Sequence, residues 1–336
     1  MRIAIVGAGA MGTFLGHGLC KGGHEVSLLD LPPRIAQIQA AGKITVASPD
    51  GSESSATPAL ATSDYSKAGV HDVIVLATKA QDLPGIAHEI PLLADESTTI
   101  VTIQNGLPWW YFQRMPSDHG ISRIRCLDPD GSLEQHIDAK QIVGCVAYPA
   151  AMMETDGTVR HIEGDRFPVG ELDGSASERA QQLVDMFQDA GFRSRVIDDI
   201  RSELWLKAWG AISINPVSAL TRATMEDICI FPETCSVVEQ MMREVQELAE
   251  ALGASFRHTI EKRIAGARAV GAHKTSMLQD VECGRPLELD AVMLAVIELA
   301  DRTGKPVPTV RTIYACTALL NNGLLAATGQ AQERIA

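Results

Sequence analysis

The sequence lacks most features that mark membrane, secreted or nucleic-acid-binding proteins. No apolar run approaches the roughly 20 residues that span a bilayer. The seven cysteines are scattered without a CxxC pair, and the nine histidines show no HExxH spacing. Basic residues are scarce, 29 Lys and Arg against 42 Asp and Glu, for a net charge of −13. We therefore expect no membrane partner, no nucleic-acid partner and no metal.

The cysteine pattern and the start of the chain also bear on location. Scattered cysteines without pairing signals are typical of reduced thiols in a reducing compartment. The sequence begins directly with a strand-like run, which leaves no room for a signal peptide. We therefore expect a cytoplasmic protein.

The first thirty residues carry the strongest pattern in the chain. An apolar, β-branched run at 2–6 predicts a strand buried on both faces of a parallel sheet. The glycine-rich segment 7–12 follows, then a helical stretch, and a second strand-like run at 25–29 ends at Asp30. In such a turn the first glycine permits the tight bend, the second lets a pyrophosphate approach, and the third lets helix and strand pack closely.

This context indicates a dinucleotide site rather than an ordinary turn. The N-terminus of the helix offers free N–H groups to phosphates, and the acid after the second strand suits the ribose hydroxyls. The predicted cofactor-binding residues here are Gly7, Ala8, Gly9, Ala10, Met11, Gly12 and Asp30.

The remaining pattern predicts two domains. A chain of 336 residues is too long for one comfortable core. Alternating strands and helices predict an α/β Rossmann-type domain at 1–198 with a doubly wound parallel sheet, and helical patterns predict an all-α domain at 199–336. Within them we expect a helix over 81–93, a last strand over 191–196 and a helix interrupted by Pro216.

Several segments after the buried strands are candidates for function. Ligands in open α/β sheets bind beyond the carboxyl ends of the strands, where Lys79 and the segment 104–106 fall. Lys79 would then contact a cofactor phosphate or ribose; the alternative is a surface lysine. The aromatic run 109–112 either walls a pocket or packs beneath a loop, and we favour packing. We expect 114–141 to be a peripheral insertion.

The helical half contains a lysine in an apolar setting. Lys207 lies among apolar residues, where loss of hydration disfavours the ammonium and favours proton transfer. Asn215, eight residues on, falls on nearly the same helix face and would hydrogen-bond the same carbonyl group. The alternative is that Lys207 reaches solvent and Asn215 ends the helix. Polar clusters that include Ser276 and Glu288 suit helix capping, but capping does not explain both clusters together with Lys207.

Taken together, these motifs resemble the ketopantoate reductase (2-dehydropantoate 2-reductase) family. The resemblance covers nearly the whole chain, at segments 7–12, 78–80, 104–106, 207–216, 275–280 and 288–290. It implies a Rossmann domain and a helical domain with the active site in the cleft between them. It further implies reduction of a 2-oxo acid, ketopantoate to pantoate in pantothenate biosynthesis, by hydride from a nicotinamide. A homodimer through the helical domain is also implied.

The resemblance assigns roles residue by residue. Lys207 matches the general acid that protonates the forming alkoxide, and Glu288 matches the acid that interacts with cofactor and substrate. Asn215 and Ser276 match substrate-binding positions, and Asn105 matches a contact to both substrate and cofactor. The remaining matches are cofactor contacts, at Lys79 and Ala150.

The residues after the second strand bear on the choice of cofactor. Family members that use NADPH commonly carry arginine there, where this chain has Asp30 and Leu31. Asp30 would bond the adenosine ribose hydroxyls and repel a 2′-phosphate, so we expect NAD(H) to be preferred. Arg34 lies close enough in sequence to keep NADP(H) as the alternative.

Two alternatives for function follow from departures and from the fold. Ala211 stands where the family usually has asparagine, and the aromatic run 109–112 lengthens a loop near the site. Both favour a related dehydrogenase acting on another 2-oxo or 2-hydroxy acid. The other alternative is a non-catalytic nicotinamide-dinucleotide sensor, against which the presence of Lys207, Ser276 and Glu288 argues.

Overall fold

A computed structural model describes residues 1–115, 117 and 119–327. These residues form two compact units. The first unit comprises 1–104, 108–115 and 128–200, and the second comprises 105–107, 119–127 and 201–327. Among the described residues, the helices are too short or too polar to span a bilayer.

Strands form only in the first unit among the described residues. They are β1 (Arg2–Val6), β2 (Glu25–Leu29), β3 (Ile44–Ala47), β4 (Glu53–Ala56), β5 (Leu60–Thr62), β6 (Val73–Leu76), β7 (Thr99–Thr102), β8 (Ile142–Cys145), β9 (Ala150–Met153), β10 (Val159–Glu163) and β11 (Val169–Glu171).

The main sheet is the expected doubly wound parallel sheet. Its order is β11-β8-β7-β6-β1-β2-β5, and only the β11–β8 pair is antiparallel. The strand order reverses between β1 and β6, where Val6 pairs with Leu29 of β2 on one side and Leu76 of β6 on the other. The carboxyl ends of these three strands therefore meet at one edge, which is where doubly wound folds bind ligands.

A second sheet of four strands, in the order β4-β3-β10-β9, belongs to the same unit. Strands β3 and β4 come from the segment between α2 and β5, and β9 and β10 come from the segment after β8. The first helix packs against this sheet, which contributes Ile44, Val46 and Val159 to the main core.

Helices flank the sheets and build the second unit. They are α1 (Ala10–Lys21), α2 (Pro32–Ala41), α3 (Leu83–Ile86), α4 (Ser132–His136), α5 (Glu178–Asp189), α6 (Ile200–Thr221), α7 (Met225–Ile230), α8 (Pro232–Ala251), α9 (Ile260–Ala269), α10 (Ser276–Glu282), α11 (Ala295–Thr303) and α12 (Pro308–Ala327). A π-helical turn, Asp290–Leu294, leads directly into α11.

The expected helix over 81–93 is wrong. The segment forms the single turn α3 between two 3₁₀ stretches, Ala80–Asp82 and Ala87–Leu92. Pro84 suits a first helical turn, but Pro91 lacks the N–H that an α-helix would use further along.

The expected strand over 191–196 is also wrong. Only two isolated bridges form there, Arg166 to Arg193 and Val169 to Val196. Between the two bridges the Phe167 carbonyl accepts from the Ser194 hydroxyl at 2.6 Å, so a side chain rather than the backbone makes this bond.

Pro216 does not interrupt its helix. Helix α6 continues to Thr221 with Pro216 inside it. Val217, Ser218 and Ala219 after the proline are all buried. Burial of this segment outweighs the roughly 3 kcal/mol that an interior proline costs.

The loop after β7 is more deeply packed than its composition indicated. Trp109, Trp110 and Tyr111 are almost fully buried, and the Trp110 indole donates to Thr102 Oγ1 at 3.0 Å. The packing interpretation of the aromatic run is thus confirmed. The idea of a peripheral insertion at 114–141 is wrong, because Ile124 and the carboxylate-bearing Asp128 are fully buried.

Candidate active site

The glycine turn between β1 and α1 is closed on two sides. Gly7 has φ +103°, and a Cβ there would lie 2.6 Å from the Thr78 backbone nitrogen. A Cβ on Gly12 would lie 1.8 Å from the Gly7 carbonyl oxygen. Only glycine fits either position, so the residues hold the strand and the helix in close contact.

The second glycine of the turn, Gly9, faces open space. A Cβ on Gly9 would meet no atom within 4 Å. Gly9 is the N-cap of α1, where no side chain caps the helix and no acid lies in the first turn. Uncapped N–H groups and the positive end of the helix dipole attract anions. The open space and the helix end fit a dinucleotide pyrophosphate, which the backbone of residues 9–12, including Ala10 and Met11, would hold. The N–H groups of Gly7 and Ala8 already donate to the Leu29 carbonyl and the Asp30 carboxylate.

Asp30 connects the end of β2 to this turn. Its carboxylate accepts hydrogen bonds from the Ala8 N–H at 2.5 Å and from the Leu31 N–H at 2.6 Å. A carboxylate has about four lone-pair sites, so it can still accept from ribose hydroxyls.

Arg34 also braces the turn. Its Nε donates to the Ala8 carbonyl at 2.9 Å, and its two Nη atoms donate to Gln37 at 2.5 Å and to Thr13 at 3.1 Å. All three guanidinium nitrogens are therefore engaged with residues of the first unit.

Two groups near Asp30 were not identified from the sequence. Burial, followed by the negative charges of Glu89 and Asp30, raises the pKa of Tyr65 to about 12. Burial also raises the pKa of Asp82; Lys79 opposes this shift and Asp30 adds to it. Tyr65 follows the edge strand β5, and Asp82 follows β6, so only the sheet order brings them towards Asp30.

The other predicted cofactor contacts of the first unit lie at strand ends. Lys79 is half-buried three residues after β6, and Ala150 begins β9, opposite Glu163. The Gln104 amide donates to the carbonyls of Leu76 at 2.8 Å and Thr78 at 3.2 Å, which connects the ends of β6 and β7.

In the second unit, three predicted site residues form a hydrogen-bonded chain. Lys207 Nζ donates to Asn105 Oδ1 at 2.7 Å. Asn105 Nδ2 in turn donates to Glu288 Oε2 at 3.4 Å. A cation, an amide and a carboxylate are thereby lined up within a single unit, although they are far apart in sequence.

Helix α6 presents Lys207 on a narrow stripe. Every residue from 201 to 219 is buried except Lys207, Ala211 and Asn215, which are half-buried. Residues four apart lie on one helix face, so these three form one accessible line on an otherwise enclosed helix. The expected shared face of Lys207 and Asn215 is confirmed, and Asn215 does not end the helix.

Ser276 is the first residue of α10 and is exposed. The cap is Thr275, whose hydroxyl accepts from the Leu278 N–H at 3.2 Å. Capping therefore makes no use of the Ser276 hydroxyl.

Comparisons with known proteins bear on what these two groups of residues do. The model of the family "Ketopantoate reductase PanE/ApbA" matches residues 3–174, and its C-terminal model matches residues 199–321. A 2-dehydropantoate 2-reductase of Mesorhizobium japonicum is 42% identical over 94% of this chain and 96% of its own length. The chain belongs to the ketopantoate reductase family. It is thus an oxidoreductase of a family that uses a nicotinamide cofactor, and the sensor alternative has no support.

Solved structures of ketopantoate reductases agree with this assignment. A protein of Ralstonia solanacearum MolK2 assigned to the ketopantoate reductases is 33% identical, with a TM-score of 0.90 over 98% of both chains. The 2-dehydropantoate 2-reductase of Geobacter metallireducens GS-15 is 26% identical, with a TM-score of 0.82 over 95% of this chain and 99% of that one.

The glycine turn makes a prediction that separates binding from stability. Gly9→Val should fold normally but weaken NADH binding about 100-fold or more, because the side chain fills the space for the pyrophosphate and removes two or more charge-assisted hydrogen bonds. Gly12→Ala should instead lower the thermal unfolding midpoint. Binding is measured by NADH fluorescence titration, and stability by thermal unfolding.

Gly85→Val is the matched control, since a Cβ on Gly85 would also meet no atom within 4 Å and the residue lies in the same unit. It should keep NADH affinity. Tight NADH binding by Gly9→Val would contradict the assigned pyrophosphate position.

Proposed function

We propose that this protein reduces ketopantoate to pantoate, with NAD(H) preferred over NADP(H). The observation that carries the proposal is the Lys207–Asn105–Glu288 chain, with Lys207 on the accessible stripe of a buried helix. The name of the 42% identical relative supports the choice of substrate. The match covers 94% of this chain and 96% of the relative, so the comparison applies to both units.

The proposed chemistry follows from what each group can donate. A bound reduced nicotinamide supplies the hydride. As the substrate carbonyl becomes an alkoxide, the Lys207 ammonium donates a proton to its oxygen, as a general acid. Asn105 Oδ1 accepts one ammonium N–H and so restricts where the remaining N–H groups point. Glu288 binds the other end of the same amide and thereby fixes the amide orientation.

We assign the other residues of the second unit to substrate binding. Asn215 lies two helical turns beyond Lys207 on the same stripe and would hydrogen-bond the substrate. The Ser276 hydroxyl, which the α10 cap leaves unused, would bind the substrate carboxylate or hydroxyl. Glu288 and Asn105 would also contact the cofactor, as would Lys79 and Ala150. Homodimer formation and a cytoplasmic location remain predictions from the family and the composition.

The preference for NAD(H) rests on charge at the end of β2. A 2′-phosphate would bring further negative charge next to Asp30, with Asp82 and Glu89 in the same region. Arg34 is one candidate to offset that charge, but three of its five N–H groups already bind the turn, Thr13 and Gln37. Two hydroxyls of an unphosphorylated ribose suit the Asp30 carboxylate better.

A second candidate is reduction of a different 2-oxo acid. Ala211 occupies the middle of the accessible stripe with a methyl group, where an asparagine would hydrogen-bond a polar substrate. A substrate without the ketopantoate hydroxyl would lose nothing at this position. Assays with 2-oxo acids that lack this hydroxyl distinguish the two candidates.

The direct test is oxidation of NADH or NADPH with ketopantoate, followed by absorbance. We expect kcat/KM above about 10⁴ M⁻¹s⁻¹ with NADH, the range of a true substrate. Faster turnover of an apolar 2-oxo acid than of ketopantoate would favour the second candidate. Absence of turnover with every 2-oxo acid would contradict the proposed function.

Replacement of the general acid should affect catalysis rather than cofactor binding. Lys207→Ala should reduce kcat by roughly 10²–10⁴-fold and leave the dissociation constant of NADH nearly unchanged. The exposed Lys305→Ala serves as the control and should be unaffected. A variant with normal kcat and weakened NADH binding would show that Lys207 is a cofactor ligand instead.

Removal of the Asp30 charge should change cofactor choice. Asp30→Asn keeps an oxygen acceptor for the Ala8 N–H but no longer repels a phosphate. We expect the ratio of kcat/KM for NADPH to that for NADH to rise about tenfold or more, as loss of one nearby charge repulsion implies. Asp185→Asn, at an exposed site on α5, is the control. An unchanged ratio would mean that Asp30 does not set the preference.

A further inference from the structure

The loop that carries Asn105 lies directly on the π-helical turn Asp290–Leu294. Gly106 has φ +79°, and a Cβ there would lie 2.2 Å from the Ala291 carbonyl oxygen and 2.8 Å from the Val292 nitrogen. The next residue, Leu107, donates its N–H to the same Ala291 oxygen at 2.9 Å. Both Leu107 and Ala291 are 1% exposed. The backbone of the loop therefore packs directly against the backbone of the π turn, with no side chain between them.

The π turn makes this contact available. In an α-helix, the Ala295 N–H would donate to the Ala291 carbonyl, four residues back. Here the Ala295 N–H donates to the Asp290 carbonyl, five residues back. The Ala291 carbonyl can therefore accept the hydrogen bond from the Leu107 N–H. Single π turns are uncommon and often occur at functional sites.

The same helical segment is joined to a second stretch of chain from the N-terminal half. The carboxylate of Glu298 on α11 accepts from the N–H groups of Arg125 at 2.8 Å and Cys126 at 2.9 Å. Arg302, one turn on, donates to the Arg123 carbonyl at 2.6 Å. These bonds hold the helix that carries the π turn.

We propose that Gly106 and the π turn Asp290–Leu294 are a positioning device that holds Asn105 between Lys207 and Glu288. Asn105 precedes Gly106, and Glu288 lies two residues before the π turn. The backbone contact between Gly106 and the π turn therefore fixes the positions of both the donor and the acceptor of the Asn105–Glu288 hydrogen bond. The proposal rests on the proposed function for its catalytic meaning, but its geometry can be tested without substrate.

The first test measures acylation of Lys207 by acetic anhydride in cofactor-free protein, followed by peptide mass spectrometry. Gly106→Ala should displace Asn105 and remove one hydrogen bond to the ammonium. Lys207 should then react roughly two- to tenfold faster, the range that one hydrogen bond implies. Asn105→Ala should give the same increase, and the double variant should add no more. Lys305 provides the reference reactivity within each sample.

Gly304→Ala is the matched control, because Gly304 also has a positive φ, +68°, but no atom within 4 Å of a Cβ. It lies at the end of α11 and should leave Lys207 reactivity unchanged. Equal reactivity of Lys207 in wild type and folded Gly106→Ala would overturn the proposal, as would additive effects in the double variant.

Two measurements cover the remaining outcomes. If Gly106→Ala does not fold, the hydrogen-exchange rate of the Leu107 amide in the wild-type protein is measured instead. A protected amide would support the proposal, and a rapidly exchanging amide would overturn it. In the assay, Gly106→Ala should lower kcat while the KM for NADH stays near wild type. Lack of turnover in wild type would contradict the proposed function alone, since the acylation result does not depend on it.

Discussion

A single side-chain amide is the interaction on which the proposed chemistry depends. Asn105 has one accepting end and one donating end, and the structure uses both, with Lys207 on the oxygen and Glu288 on the nitrogen. An ammonium can only donate and a carboxylate can only accept, so this order of charges admits only one orientation of the amide. The helix stripe then exposes the lysine, while the amide restricts how its N–H groups point.

The nucleotide end of the molecule depends on a different kind of constraint. There the backbone itself is the recognition element, because Gly7 and Gly12 exclude side chains and Gly9 leaves space beside the free end of α1. Asp30 and Arg34 then hold the turn from the β2 side. Asp30 and Arg34 thus bond to the N–H and the carbonyl of the same residue, Ala8, and place opposite charges next to each other at the end of β2.

Local patterns predicted the parts of the fold whose causes are local. The glycine turn, β1, β2 and the parallel sheet follow from short-range sequence signals, and the structure confirms them. The predicted break of the helix at Pro216 was wrong, because the burial of the residues around it in α6 outweighs the tendency of proline to end a helix. The contact between Asn105 and Lys207 joins residues 102 apart, so only family resemblance could suggest it. The π turn and the placement of Tyr65 have no sequence signal. The π turn depends on the contact with the loop at Gly106 and Leu107, and the placement of Tyr65 depends on the order of strands in the sheet.

The bond between Glu298 and the N–H groups of Arg125 and Cys126 has a consequence for synthesis of the protein. The donors and the acceptor are 173 and 172 residues apart, and both belong to the second unit. At about 5–20 residues per second, a ribosome needs roughly ten to thirty-five seconds to make the intervening chain. During that time the buried residues Ile121, Ile124 and Leu127 lack the rest of the unit to which they belong. The second unit therefore cannot complete its hydrogen bonds until the chain has been made as far as α11.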